Sequence, residues 1–240
     1  MYRTLIPNIL TSSNLVFGMC SIISTFHGNF FYGALFIVIA MIADGLDGRA
    51  ARFFGVSSDF GKEMDSLCDL VSFGAAPAFL AYVFYLQTFG YLGWAAAIIF
   101  ALCGALRLAR FNVSTSVVHG YFMGLPIPAG GCLISTFIML CVILGVNPEV
   151  FGLAFPILIM VFGYLMVSKV RYPDFKGKGE KAHLLPLLIS FILAITILVV
   201  CKNAIFNAIL FAIFITYATF GVLNTAASAG SEAREADNNI

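Results

Sequence analysis

Asp44, Asp47, Asp65 and Asp69 sit close together in an otherwise apolar chain. The stretch reads Asp44-Gly-Leu-Asp47-Gly48-Arg-Ala-Ala51-Arg52, then eight residues, then Gly61-Lys-Glu-Met-Asp65-Ser-Leu-Cys-Asp69. Ionisable groups near lipid are costly, which makes each of them a functional candidate. Residues three and four apart share one face of a helix. Asp44, Asp47 and Ala51 therefore line one face, with Gly48 beside them. Gly61, Asp65, Asp69 and Ser72 line one face of the next helix. Four carboxylates brought together repel one another and need compensating positive charge. Arg52 and Lys62 are too few and too flexible to supply it, whereas bound divalent cations would. All-oxygen ligands favour hard ions such as Mg²⁺ or Mn²⁺. Two such ions, about 3.5–4 Å apart, suit in-line displacement at phosphorus, which points to a phosphate-bearing substrate. Gly48 and Gly61 leave room for a bulky group at the backbone, and Arg52 suits a bidentate grip on phosphate. A single Asp at a helix end is ordinarily a solvated cap or an ion-pair partner. Four on facing helices, with two glycines between them, exceed that role.

The elements that must position these acids are membrane helices. The chain is 61% hydrophobic and 10% charged, against about 25% charged in a soluble domain. It has too little polar surface to cover itself in water. A net charge of +1 gives no basic excess for nucleic acid. The six cysteines form no CxxC pair and read as buried thiols. The first apolar run carries Thr11-Ser-Ser-Asn14 and no small-residue cleavage site, so it reads as a retained helix rather than a signal peptide.

Apolar runs and their breakers predict an all-α, polytopic membrane protein with eight transmembrane helices, over about 8–26, 30–53, 60–87, 91–110, 126–145, 150–168, 183–201 and 204–224. Each has about the 20 residues needed to cross roughly 30 Å of hydrocarbon. Asn8 or Thr11 is the expected cap of the first helix, and Ser58 or Asp59 of the third. Pro126 and Pro128 suit the first turn of the fifth. The connections 113–124 and 169–181 read as polar loops, the latter a basic surface loop, and 226–240 as a frayed polar tail. In this arrangement twelve of the thirteen lysines and arginines fall on one side, with Lys202 opposite. Positive charge concentrates on cytoplasmic loops, so both termini are expected in the cytoplasm. The acids fall on that side too. Asp44 lies about 21 Å along the second helix, near its cytoplasmic end.

The full pattern Asp44-x2-Asp47-Gly48-x2-Ala51-Arg52-x8-Gly61-x3-Asp65-x3-Asp69 resembles the signature of the CDP-alcohol phosphotransferases, with no departure at a fixed position. Four further stretches are similar to the phosphatidylserine synthase branch of that family: Pro7-Asn8-Ile-Leu-Thr11, Asp69-Leu-Val-Ser72-Phe73-Gly74-Ala-Ala-Pro77, Leu106-Arg107-Leu-Ala-Arg110-Phe-Asn112 and Gly124-Leu-Pro126-Ile-Pro128-Ala129. The resemblance implies a single transmembrane domain over 1–225, with a six-helix core to about residue 170 and two more helices over about 183–224. It implies transfer of a phosphatidyl group from a CDP-linked lipid, CDP-diacylglycerol or CDP-archaeol, to the hydroxyl of L-serine, with release of CMP. Asp44, Asp47, Asp65 and Asp69 would hold two Mg²⁺ or Mn²⁺ ions. Asp69 would also act as general base. Asp44, Gly48, Ala51, Arg52, Gly61 and Asp65 would cradle the CDP. A homodimer in the cell membrane, its site facing the cytoplasm, is also implied.

For the acceptor, Arg107 and Arg110 are one turn apart with Asn112 nearby. One arginine would bind the serine carboxylate and the other a lipid phosphate. Both also fit as snorkelling anchors at the interface. The acid pattern does not separate serine from glycerol 3-phosphate, inositol phosphate or choline. A reading of another class is a cation or proton transporter with intramembrane carboxylates. Such sites tend to lie at the midplane on broken helices in related repeats, whereas here the acids cluster at one edge on consecutive helices. His27, His119 and His183 are dispersed and make no ligand spacing.

Overall fold

The computed structural model describes residues 2–55, 58–113, 121–173 and 184–238. An apolar chain that leaves water must satisfy its backbone within each segment, and helices do this. α1 (Tyr2–Phe26) and α2 (Phe30–Phe54) form a hairpin through a turn at Gly28. α3 (Asp59–Asp69) starts at Ser58, whose Oγ accepts from the Gly61 N–H at 3.0 Å. This is one of the two expected caps. A π-helical turn, Leu70–Ala75, joins α3 to α4 (Ala76–Phe84), so that one rod runs over Asp59–Phe84. α5 (Tyr91–Val113) follows, then α6 (Ile127–Leu144), α7 (Ala154–Val167), α8 (Leu184–Val200) and α9 (Ile205–Asn238).

α6 is the central helix. Most of its length is buried, including Ile127, Leu133, Ile134 and Ile138. It packs on α2, on α4 with its π turn, and on α9, while α5 pairs with α7 and α8 with α9. Gly131 of α6 lies so close to the π turn that a Cβ there would be 2.8 Å from the Phe73 carbonyl oxygen. Small residues of this kind let membrane helices approach backbone to backbone.

Three differences from the expected pattern have local causes. Six helical segments are long and apolar enough to cross a membrane: Ile9–Phe26, Phe30–Ala50, Asp59–Phe84, Tyr91–Val113, Ile127–Leu144 and Lys202–Ser228. α7 and α8 are apolar but shorter. Pro148 and Gly152 turn the expected start of α7 into a separate 3₁₀ turn, Pro148–Phe151. Second, the ends of the two polar connections pair as an antiparallel ribbon of β1 (Tyr121–Met123) and β2 (Arg171–Pro173), Phe122 opposite Tyr172. Three-residue strands are too short to show a period. Tyr172 is fully buried, packs on the Tyr217 ring at 5.2 Å and donates to the Ala218 carbonyl, while the Arg171 N–H donates to Thr225 Oγ1 at 2.9 Å. The ribbon thus clasps α9. Residues 174–183, most of the expected basic loop, lie outside the described residues. Third, α9 runs on to Asn238, where a frayed tail was expected. Its last turns are rich in Ala, Glu and Arg, which favour helix without lipid. The cysteines are free thiols, as expected.

The Gly131 contact makes a prediction. Gly131→Ala should lower the thermal midpoint in detergent, because overpacking a rigid backbone contact costs about 1–3 kcal/mol. Gly45→Ala, where a Cβ meets nothing within 4 Å, should leave it unchanged or raise it. Equal midpoints for both variants would show that α6 is not seated on the π turn.

Candidate active site

The last turns of α2 and the first turns of α3 bring the four acids together. One carboxylate oxygen from each of Asp44, Asp47 and Asp65 lies within 4.8 Å of the others. Asp47 is 5% exposed and Asp69 8%, while Asp44 and Asp65 are half-buried. Asp69 sits one turn further along α3 than Asp65. Its carboxyl lies close to that of Asp44, and the charges of Asp44, Asp47 and Asp65 all act on it. Facing placement from two helices is what the spacing predicts. The division into a trio and a fourth acid is new.

α1 completes the cluster. Thr11 Oγ1 donates to Asp47 Oδ2 at 2.7 Å, and Asn14 Nδ2 donates to Asp69 Oδ1 at 2.9 Å. Thr11 is inside α1, nine residues past its first, so it does not cap the helix. In the sequence Thr11 serves as a candidate cap and as the end of a stretch similar to the phosphatidylserine synthase branch, and Asn14 only as part of the polar cluster that argues against a signal peptide. The available signal was their spacing, two polar residues three apart on one face of an apolar helix.

The donor set fits hard divalent cations. Every candidate ligand is a carboxylate oxygen, and Asp65 Oδ1 is buried with no hydrogen-bond partner among the described residues. Among the described residues the ion pair in this region, Lys62 with Asp59 at 3.6 Å, is exposed and involves none of the four acids.

The expected CDP cradle is open at one position and closed at another. A Cβ on Gly48 would meet nothing within 4 Å, so the backbone there is accessible to a ligand. A Cβ on Gly61 would stand 3.2 Å from Ser58 Oγ, so this glycine also accommodates the helix cap. Ala51 and Arg52 belong to α2, and their side chains lie outside the described residues.

The three expected acceptor residues separate. Arg107, half-buried on α5, is near enough to Asp69 to feel its charge, and its Nε is buried without a partner among the described residues. Arg110 is exposed and donates from Nη1 to the Val167 carbonyl at 3.0 Å, tying α5 to the end of α7. Asn112 donates to Ser66 Oγ at 3.0 Å and to Glu63 at 3.4 Å, tying α5 to α3. His27 lies in the α1–α2 turn, and His119 and His183 fall outside the described residues. Beside the acids, α2, α6, α8 and α9 line an open apolar cavity of about 930 Å³, bordered by Met41, Pro126, Phe191 and Tyr217. Met41 is one helical turn from Asp44.

Comparison with known proteins places this geometry. The family model described as CDP-alcohol phosphatidyltransferase matches residues 4–168. The chain is 40% identical to a CDP-diacylglycerol–serine O-phosphatidyltransferase of Helicobacter pylori, over 78% of this chain and 80% of that protein. It is 40% identical to the enzyme of the same name from Bacillus subtilis, over 71% and 91%. It is 36% identical to an archaetidylserine synthase of Methanothermobacter thermautotrophicus, over 72% of each chain. The matched span holds α1 to α7 and with them all four acids, and the chain belongs to the CDP-alcohol phosphatidyltransferase family.

Proposed function

We propose that this chain transfers the phosphatidyl group of a CDP-linked lipid to the hydroxyl of L-serine, giving phosphatidylserine, or its ether-lipid counterpart, and CMP. The convergence of the four acids in a chain so similar to serine phosphatidyltransferases carries this reading. Asp44, Asp47, Asp65 and Asp69 would hold two Mg²⁺ or Mn²⁺ ions, which when bound neutralise charge on the pyrophosphate and on departing CMP.

The chain's own residues do the rest. Serine's hydroxyl is a weak nucleophile and needs a base within hydrogen-bonding reach. Asp69 takes its proton, the serine oxygen bonds to the lipid-linked phosphorus, and the bond from that phosphorus to the bridging oxygen breaks as CMP leaves. Gly48, with open space above its backbone, admits the CDP, and Asp44, Ala51, Arg52, Gly61 and Asp65 complete its cradle. Arg107 binds the serine carboxylate, which supplies the partner its buried Nε lacks among the described residues. Arg110 and Asn112 hold α5 in place. The apolar cavity beside Met41 receives the lipid chains, so the donor's two halves meet the protein at the boundary of lipid and water. The distribution of lysine and arginine supports eight crossings, cytoplasmic termini and a site facing the cytoplasm of a cell-membrane enzyme. The family resemblance supports a homodimer.

Purified protein incubated with CDP-diacylglycerol, Mn²⁺ or Mg²⁺ and candidate alcohols should release CMP only when serine is present. CMP release with glycerol 3-phosphate, inositol phosphate or choline instead would move the assignment to that acceptor. Chelation of the metal should stop the reaction. Asp69→Asn should nearly abolish turnover with an unchanged thermal midpoint, and near-normal turnover would remove Asp69 as base. Arg107→Lys, which keeps charge but loses the planar fork, should raise the KM for serine by about tenfold, equal to about 1.4 kcal/mol. Arg110→Lys should leave that KM unchanged. The reverse pattern would exchange their roles.

A further inference from the structure

We propose that Asn14 is a positioning residue for Asp69, which commits Asp69 Oδ1 to the scaffold and leaves Oδ2 as the proton-accepting atom. This rests on the reading of Asp69 as the base. The rod that carries Asp69 does not continue as regular α-helix beyond it. Leu70–Ala75 is a π turn, a widened turn that recurs at functional sites. A carboxylate at the edge of such a turn needs fixing from outside its own helix.

Asn14 supplies this from α1 by two independent bonds. Its side-chain amide donates to Asp69 Oδ1 at 2.9 Å, and its main-chain carbonyl accepts from Ser72 Oγ, inside the π turn, at 2.9 Å. Asn14 and Ser72 are both 0% exposed, so neither bond competes with water. Gly18, one turn further along α1, permits the approach: a Cβ there would stand 2.9 Å from the Ser72 Cα. The amide orientation follows from this network, since an ionised Asp69 carboxylate accepts from the amide NH₂ and not from its oxygen. In the orientation present, Asn14 Oδ1 has no partner among the described residues, so the donor end alone holds the side chain.

The chemical consequence is a division of labour between two oxygens. A base must aim a lone pair at the hydroxyl it deprotonates. With Oδ1 occupied by Asn14, the carboxyl cannot rotate freely about its terminal torsion, and Oδ2 is presented to the acceptor.

The test compares wild type with Asn14→Leu, close in size but without the amide, and with the milder Asn14→Ser and Ser72→Ala. Steady-state CMP release is measured with whichever alcohol the wild type accepts, so a wrong serine assignment leaves the comparison intact. Calorimetric CDP affinity and the thermal midpoint are measured alongside. For Asn14→Leu, kcat should fall by about 10²-fold, the scale of a misplacement of about 1 Å. CDP affinity and the KM for the CDP lipid should stay unchanged, while the thermal midpoint falls by only a few degrees, the scale of one lost buried hydrogen bond. Ser72→Ala should lower kcat less. The double variant should lose less than the product of the two losses, because both act through Asp69. If Asn14→Leu does not fold, Asn14→Ser carries the same expectation with a smaller fall. Unchanged kcat would overturn the proposal. So would a loss of activity that tracks equal losses of CDP affinity and thermal midpoint, since that is a purely structural role. A wild type that releases CMP to no alcohol overturns both this proposal and the functional reading beneath it.

Discussion

Carboxylates at the edge of an apolar bundle must be given partners by the protein or by bound cations, and much of this structure follows from that constraint. Each acid of the cluster has neighbours of its own sign, which raises the cost of ionising all of them. Hydrogen bonds from Thr11 and Asn14 offset part of that cost for Asp47 and Asp69. Asp65 keeps a buried oxygen without a partner among the described residues. A protein that required only stability would replace such a cluster with apolar side chains, since buried charge is weak support for a fold. Its retention is a cost accepted for chemistry.

The scaffold answers with close backbone approach rather than with bulk. The π turn after Asp69 is held from one side by Asn14 and Gly18 of α1 and from the other by Gly131 of α6. Lipid gives no hydrophobic drive for helices to meet, so contact has to come from packing and from interhelical hydrogen bonds. Both operate on the same six residues, Leu70–Ala75. The ribbon of β1 and β2 extends this principle to the connections between helices, where Tyr172 anchors α9 through ring packing and a bond to a main-chain carbonyl.

The acids were legible in sequence because their spacing of three and four residues is a direct statement about helix faces. The long apolar helices were legible because hydropathy is a sum over many residues. Thr11 and Asn14 were visible as polar residues in an apolar helix, but their partners are 36 and 55 residues away. Such pairings depend on how α1 docks, which no local pattern encodes. Arg107 and Arg110 show the same limit. They share a helix turn and a residue type, yet one reaches the acids and the other closes the end of α7. The π turn had no sequence mark, and the ribbon was too short to have one.

The acids and the two donors that hold them all lie between residues 11 and 69. A ribosome finishes that segment long before it reaches α6, the helix against which the π turn is seated. The reactive part of the molecule is therefore made before the helix that seats it. During insertion three helices must shelter four carboxylates among themselves, with Thr11 and Asn14 as their internal donors. The contacts that orient the acids in the finished protein are then also the ones available to keep them tolerable in a half-made one.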